Sequence, residues 1–453
     1  VAEDIGKFPD ENVAESLQRI PGISVTRNNG EGQTVTIRGL EGKYNITTFN
    51  GRQLASDAGT RDFNYDVIAS ELVSEIQVHK TQKAHITDGA VGGVINIDTR
   101  KPLDLGSAML MSLEGDYNDR AEEWNPKSSF IVSETFNDDT FGVLFSLVHS
   151  KITTRYDAYS SDNWLDQWSY DELRVPDELR TDLAEGESFR TPLYPKITMN
   201  TAERERVGGT LDLQWRPTND LDINFDVLYS SYDIESNGKV LAVALPNPWD
   251  STVFSEFNVG DDGFLDQATW NPGVVELLEA NDPRENETYQ VGLNFNYIYD
   301  SFDFTFDIAH SESENTNNGD TNFVVIRTEV DEATVNWNNG YVIPDIILSN
   351  PIDEDQQYGG HYARVDGVNT WGKTTNINFD GLYEPDDGIV TKVMFGTGYN
   401  MQQKDRVQYS PNNGSIFAFD NGGDDIDPTY DAEIITIGGQ QKWALPGSVV
   451  TNG

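Results

Sequence analysis

The sequence predicts a small mixed α/β domain over residues 1–104, followed over residues 105–453 by an antiparallel β-barrel of the transmembrane kind. Three observations carry this reading. The first hundred residues interleave short helical and strand patterns. From Gly106 onward, long segments alternate apolar and polar residues with period two. The connections between those segments are alternately short and long, as in outer-membrane barrels.

Composition bounds the function. Lys plus Arg total 31 against 76 Asp plus Glu, a formal net charge of -45. So acidic a chain repels phosphate backbones, which excludes nucleic acid as a partner and disfavours anionic lipid surfaces. The first 104 residues hold 15 acids and 11 bases, so the acidity belongs to the remainder. Cysteine is absent, which removes disulfides, thiolate metal sites and cysteine nucleophiles. No run of about 18 apolar residues exists for a membrane helix. Barrel strands, only half apolar, escape that test. Val1-Ala2-Glu3-Asp4 carries no signal-peptide pattern.

Taken in order, Pro9-Asp10-Glu11 opens a helix with Val13, Leu17 and Ile20 on one face, Asp10 as its N-cap, and Pro21-Gly22 as its stop. Ile23 to Thr26 reads as a strand. Thr34-Val35-Thr36-Ile37-Arg38-Gly39-Leu40 is a second, with Val35 and Ile37 on one face and Thr34, Thr36 and Arg38 on the other. Tyr44 to Phe49 follows, closed by Asn50-Gly51, and the local expectation is a hairpin of these two strands with Arg38 at its tip. Ser70-Glu71-Leu72-Val73 starts a helical turn, Ile76 to Lys80 is a strand, and Gly89-Ala90-Val91-Gly92-Gly93 leads into a strand over 94–99. Pro102 closes the domain.

Nine long strands follow, near residues 106–117, 127–137, 140–156, 201–216, 221–235, 286–299, 301–314, 372–384 and 388–405. Their faces separate cleanly: Leu221, Ile223, Phe225, Val227 and Tyr229 oppose Asp222, Asn224 and Asp226, while Phe302, Phe304, Phe306 and Ile308 oppose Asp303, Thr305 and Asp307. Asn137-Asp138-Asp139, Pro217-Thr218-Asn219-Asp220, Asp300 and Pro385-Asp386-Asp387 are short links, whereas 157–200, 236–285 and 315–371 are long. A soluble sandwich has no reason to keep that parity; a barrel with short periplasmic turns and long outer loops does. Tyr229, Tyr232, Tyr297, Tyr299, Tyr383 and Tyr399 suit interfacial girdles. An odd number of strands leaves an edge that lipid does not tolerate, so these residues are expected to be part of a longer chain.

The first hundred residues resemble the plug domain of TonB-dependent outer-membrane receptors. The resemblance rests on residues 13–25, then Val35-Thr36-Ile37-Arg38-Gly39-Leu40, Phe49-Asn50-Gly51-Arg52, residues 70–80 and residues 89–100, in that order. It spans about residues 5–102 by motif and reaches the barrel by architecture. Within the family the chain looks most like the large proteobacterial receptors associated with carbohydrate uptake. The resemblance implies a barrel of 22 strands, of which about nine are here, and a coupling box ahead of residue 1. It further implies an importer, not an enzyme, in the outer membrane of a Gram-negative bacterium, energised by a TonB-type inner-membrane protein, surrounded by outer-membrane lipid and gated by a small-molecule nutrient. The competing class is a soluble or surface carbohydrate-binding β-protein.

No catalytic constellation competes. The five histidines have no metal-ligand spacing, and no Gly-x-Ser-x-Gly elbow is present. Gly89 to Gly93 lacks the lysine and helix of a phosphate loop. No cofactor is expected, although Asp424-Asp425-Ile426-Asp427 and Asp353-Glu354-Asp355 read either as solvated loops or as calcium sites without EF-hand spacing. Given the resemblance, Arg38 is expected to face carboxylates on the barrel wall rather than solvent, with Arg52, Arg61 and Lys80 as further candidates for plug–barrel contact. Residues 157–200 hold ten acids and four bases among Tyr159, Trp164, Trp168 and Tyr170. With Trp249, Trp337 and Trp371 these aromatics either stack on sugar rings or pack loop on loop. Few loop bases exist for an anionic iron chelate, so an oligosaccharide is the expected substrate and a ferric siderophore the alternative.

Overall fold

The computed structural model describes residues 12–28, 30–81, 86–87, 89–168, 170–180, 188–246, 252–318, 320–352, 358–385 and 389–409, with strand pieces at 417–418, 433–437 and 440–444. The first helix, α1 (Val13–Leu17), is capped by Asn12, whose Oδ1 accepts from the backbone N–H of Ala14 at 2.9 Å and Glu15 at 3.3 Å. Asp10, the cap expected from sequence, lies outside the described residues. Strands β1 (Ile23–Asn28) and β2 (Glu31–Ile37) pair antiparallel. β2 ends in a two-residue turn in which Arg38 and Gly39 both have positive φ, +52° and +80°.

The expected hairpin of residues 34–40 with 44–49 does not form. β3 (Asn45–Phe49) is buried along its whole length, so it needs partners on both edges, and an isolated hairpin cannot supply them. It pairs antiparallel with β4 (Arg52–Gln53) across the Asn50-Gly51 turn, and parallel with β6 (Gly93–Asp98), whose other edge takes β5 (Glu75–His79). Leu17, Ile37, Phe49, Ile68, Ile95 and Ile97 fill the core of this domain. Val148, Leu228 and Tyr232, contributed by the following sheet, complete it.

That sheet begins after α2 (Pro102–Leu105) with β7 (Ala108–Asn118), β8 (Glu123–Phe136), β9 (Phe141–Trp168), β10 (Phe189–Thr218) and β11 (Leu221–Ala244). It continues with β12 (Val253–Val259), β13 (Leu265–Asn271), β14 (Gly273–Asn281), β15 (Arg284–Tyr299), β16 (Phe302–Thr316), β17 (Thr321–Val330), β18 (Ala333–Asn336), β19 (Asp345–Leu348), β20 (Gly359–Tyr383) and β21 (Val393–Tyr409). The nine strands expected from alternation are β7 to β11, β15, β16, β20 and β21, and each pairs antiparallel with the next.

The faces follow the alternation. On β15, Tyr289, Val291, Leu293, Phe295 and Tyr297 point away from the plug while Thr288, Gln290 and Gly292 line it, and Tyr289 and Tyr297 remain 37% and 45% exposed. Eight residues at about 3.4 Å each, tilted about 40°, give an apolar band about 20 Å tall, and Tyr299 takes it to about 25 Å. Above the band the outward positions turn ionic on strand after strand: His149 and Lys151, Glu205 and Glu203, Asp233 and Glu235, Glu287 and Glu285, Glu312, Lys373. His149–Glu205, Lys151–Glu203 and Lys373–Glu312 pair there at 2.9, 2.6 and 2.8 Å. One sharp boundary shared by neighbouring strands is what a bilayer edge imposes. Among the described residues no helix is long and apolar enough to cross a membrane.

The three long links are more ordered than loops. β10 runs on from Glu205 to Phe189, about 50 Å of further sheet, and β14 and β17 extend the wall between β11 and β20. β12, β13, β18 and β19 form a separate four-stranded sheet over a second core of Tyr170, Phe189, Phe254, Phe257, Trp270 and Val335. The outer part of β11 and the middle of β17 were hidden in sequence because Val240-Leu241-Ala242-Val243 and Val324-Val325-Ile326 are continuous apolar runs, which alternation does not detect. The opposite rim is tight: Asn137, Asp138, Asp139 and Asp300 all take positive φ. Cysteines at Tyr341 and at Asp138 or Asp300 should separate under an impermeant maleimide on intact cells, with Tyr341→Cys labelled and the other two protected. The reverse pattern would invert the topology.

Candidate functional site

The seam between plug and wall is built from two ionic clusters of opposite polarity. In the first, the Asn50-Gly51 turn delivers Arg52, only 2% exposed, to the lumen face of the wall. Its Nη1 donates to Asp226 Oδ2 at 2.5 Å, and its Nε donates to both oxygens of Asp307 at 2.9 Å. Asp226 on β11 lies directly across from Gly292 on β15, and Asp307 on β16 lies across from Asn294, two residues along β15. The guanidinium rests over Gly292, where a Cβ would come within 1.9 Å of Nη1, so only glycine leaves the seat open. Asn50 donates to the remaining oxygen of Asp226, Oδ1, at 3.0 Å, and Asn294 donates to Asp307 Oδ2 at 2.9 Å. Burial alone would lower the pKa of Arg52; Asp226 and Asp307 outweigh it and raise it, which keeps the cation charged.

The second cluster inverts the charges. Glu31, at the start of β2, is 2% exposed. Its Oε1 accepts from Arg206 Nη2 at 2.6 Å and from Asn12 Nδ2 at 2.7 Å, and its Oε2 accepts from the Tyr232 hydroxyl at 2.6 Å. Arg204 approaches at 3.4 Å, and the Arg206 guanidinium stacks 4.5 Å above the Tyr232 ring. Burial raises the pKa of Glu31, but Arg206, Arg204 and the Tyr232 hydroxyl more than offset this and hold it below the ordinary glutamate value. Asp226 and Tyr232 both stand on β11, so the clusters grip the plug at heights about 20 Å apart along that strand.

Between them the segment from Phe49 to Thr60 runs along the wall and bonds strand after strand. Gln290 donates to the Phe49 carbonyl at 3.3 Å, Asn376 to the Gln53 carbonyl at 2.9 Å, and the Ala55 N–H to Ser311 Oγ at 2.9 Å. Asn286 donates to Asp57 at 2.8 Å and Lys404 Nζ to the Thr60 carbonyl at 2.5 Å.

The sequence-derived candidates fall in several places. Arg38 stays within the plug, donating to the Lys80 carbonyl at 3.2 Å, and Lys80 Nζ donates to the Pro21 carbonyl. Arg61 is exposed. Arg52 is the one of the four that ion-pairs with the wall among the described residues. Glu31, Arg204, Arg206, Asp226, Asp307 and Gly292 were not singled out from sequence. The available signal was a pair of arginines, Arg204 and Arg206, on the lumen face of a strand in a base-poor chain.

Of the aromatics, Tyr170 packs on Phe189 at 5.5 Å and Phe257 at 5.8 Å within the outer core. Trp337 lies partly buried against the same core and donates to the Tyr159 hydroxyl at 3.2 Å. Trp371 shares the outward face of β20 with Lys373 and Ile377. Trp164 and Trp168 stand on β9 across from Pro192 and Phe189. Trp249 and both acidic calcium candidates, 353–355 and 424–427, lie outside the described residues. At the outer end of the plug a cavity of about 630 Å³ opens between residues 57–64 and the wall, lined by Gln33, Asn64, Asn315, Asn317, Asp57 and Arg284 among others, with no aromatic side chain in the lining.

The fold and the seam define a β-barrel wall of the outer membrane with a plug seated inside it. Residues 1–94 match the family model described as the TonB-dependent Receptor Plug Domain, so the domain seated against the wall is a plug of that kind. Among solved structures it is similar to the ferric enterobactin receptor PfeA from Pseudomonas aeruginosa, at 12% identity over 89% of this chain and 70% of that one, with a TM-score of 0.34. It is also similar to the ferric citrate transporter FecA at 13% identity, covering 89% and 73% with a TM-score of 0.32. The siderophore receptor PirA from Acinetobacter baumannii is similar at 11% identity, covering 90% and 76% with a TM-score of 0.28.

Proposed function

We propose that this receptor imports an uncharged, polyhydroxylated nutrient of the oligosaccharide class, with the plug gating the lumen. The observation that supports the reading is the outward cavity. Its lining offers the amides of Gln33, Asn64, Asn315 and Asn317, which suit hydroxyl groups, together with the carboxylates Asp57, Asp62, Asp282 and Asp366. Two cations share the lining with these four carboxylates: Arg284, engaged by Asp282 at 2.8 Å, and Arg406. A multiply anionic ligand would have to be desolvated beside those carboxylates. Surrounding lipid meets the apolar outer face, and the acidic chain excludes nucleic acid as a partner.

Calorimetry on the intact receptor against neutral oligosaccharides and ferric siderophores, with and without calcium, tests the proposal. Sugar binding weakened at least tenfold by Asn315→Leu supports it and places the ligand in the cavity. Sugar binding lost instead in Trp164→Ala or Trp168→Ala moves the ligand to the outer end of β9. Siderophore binding that survives removal of calcium, with no sugar binding, overturns the substrate class.

A further inference from the structure

Asp66 has no role in either ionic cluster, yet it is buried beside one of them. It lies in the single helical turn Tyr65–Val67, which is pinned to the wall by the Ser230 hydroxyl donating to the Val67 carbonyl. Asp66 is 4% exposed. Gln33 Nε2 donates to Oδ2 at 3.2 Å, and Oδ1 is buried with no hydrogen-bond partner. The charged and titratable groups facing it are Glu31 on β2, Asp57 in the segment after β4, Arg206 on β10 and Tyr232 on β11. The nearby cation, Arg206, is already engaged by Glu31. Among the described residues Asp66 has no ion-pair partner of its own, and a buried unpaired anion neutralises itself by keeping its proton.

We propose that Asp66 seats the plug as a neutral carboxylic acid, so that the inner faces of β10 and β11 hold the plug in a proton-linked way and ionisation of Asp66 loosens it. Burial, reinforced by Glu31 and Asp57, pushes its pKa up to about 8. The seated plug therefore binds a proton that the released plug, with an ordinary value of about 3.9, gives up. The stabilisation is complete below about pH 4, declines as pH rises toward about 8 and is level above that. Each pH unit in that window shifts the seated-to-released equilibrium by up to about tenfold.

The test compares hydrogen exchange of the plug amides around residues 65–68 in the intact receptor and in Asp66→Asn, where intrinsic exchange rates cancel. The ratio of opening constants, wild type over variant, should rise by up to about tenfold per pH unit from pH 5 to 8 and then flatten. A ratio independent of pH overturns the proposal. If Asp66→Asn does not assemble, the ¹³Cγ resonance of Asp66 in the wild-type receptor decides: a midpoint near 8 supports the neutral acid, and a carboxylate already ionised at pH 6 overturns it.

Discussion

Arg52→Ala is expected to unseat the plug. The substitution leaves Asp226 and Asp307 facing each other across Gly292 with no cation between them. Breaking a buried pair by removing one partner costs about 3–5 kcal/mol, because the stranded charge remains desolvated. Intact cells carrying the variant should leak small solutes and become sensitive to large antibiotics, and the denaturant midpoint for plug release should fall. Gly292→Ala should act in the same direction without touching a charge, since its methyl group occupies the guanidinium's seat. Arg38→Ala, whose side chain bonds a plug carbonyl at an exposed turn, should change leakage little. Equal leakage from Arg38→Ala and Arg52→Ala would refute the assignment of the seam to Arg52.

Glu31→Gln should have a comparable effect through the opposite charge. It leaves Arg206 and Arg204, both buried in the wall, without their carboxylate, at a cost of about 3 kcal/mol or more. The pH dependence distinguishes the two carboxyls of this region. Glu31 has a lowered pKa when the plug is seated, so its contribution is present above its ordinary value of about 4.3 and is lost as pH falls through the lower, seated value. Measured in an Asp66→Asn background, where that second titration is absent, the effect of Glu31→Gln should therefore be constant from pH 5 upward and shrink below about pH 4, opposite in sense to the Asp66 effect. Asn12 adds a mechanical signature. It caps α1 and donates to Glu31, so a pull on the chain ahead of it reaches the Glu31 cluster before the Arg52 cluster. In single-molecule extension from the N-terminus, Glu31→Gln should lower the first rupture force, and Arg52→Ala a later one.

Much of the architecture was legible in the sequence, because a barrel wall writes its two solvents into alternate residues. Leu221 to Tyr229 and Phe302 to Ile308 announced strand and face together, and the Asn50-Gly51 dipeptide announced the turn that delivers Arg52. Two kinds of feature were not legible. β14 places its apolar residues in pairs and β17 in one block, Phe323 to Ile326, without strict alternation, so the outer extensions read as loops. The pairing of Glu31 with Arg206, 175 positions away, joins residues whose separate contexts are an ordinary turn and an ordinary polar strand face. Arg38 drew attention because a strand ended in it, yet the following turn returns it to the plug, whereas Arg52 follows the turn that points at the wall. Burial, which sequence pattern does not report for an isolated charge, separates the two.

The central claim is that the segment after the Asn50-Gly51 turn lies against the inner face of the barrel wall, and cross-linking measures it directly. Cysteine is absent from these 453 residues, so a pair can be placed at will. Ala55 and Ser311 meet across the seam at 2.9 Å, while Glu312, the next residue, points to the outside of the wall. In receptor oxidised within its own outer membrane, the account predicts that Ala55→Cys/Ser311→Cys closes a disulfide in most molecules, that Ala55→Cys/Glu312→Cys does not, and that ligand import stops until the bond is reduced. Cross-linking through Glu312 instead of Ser311, or import undiminished in fully cross-linked protein, would contradict it.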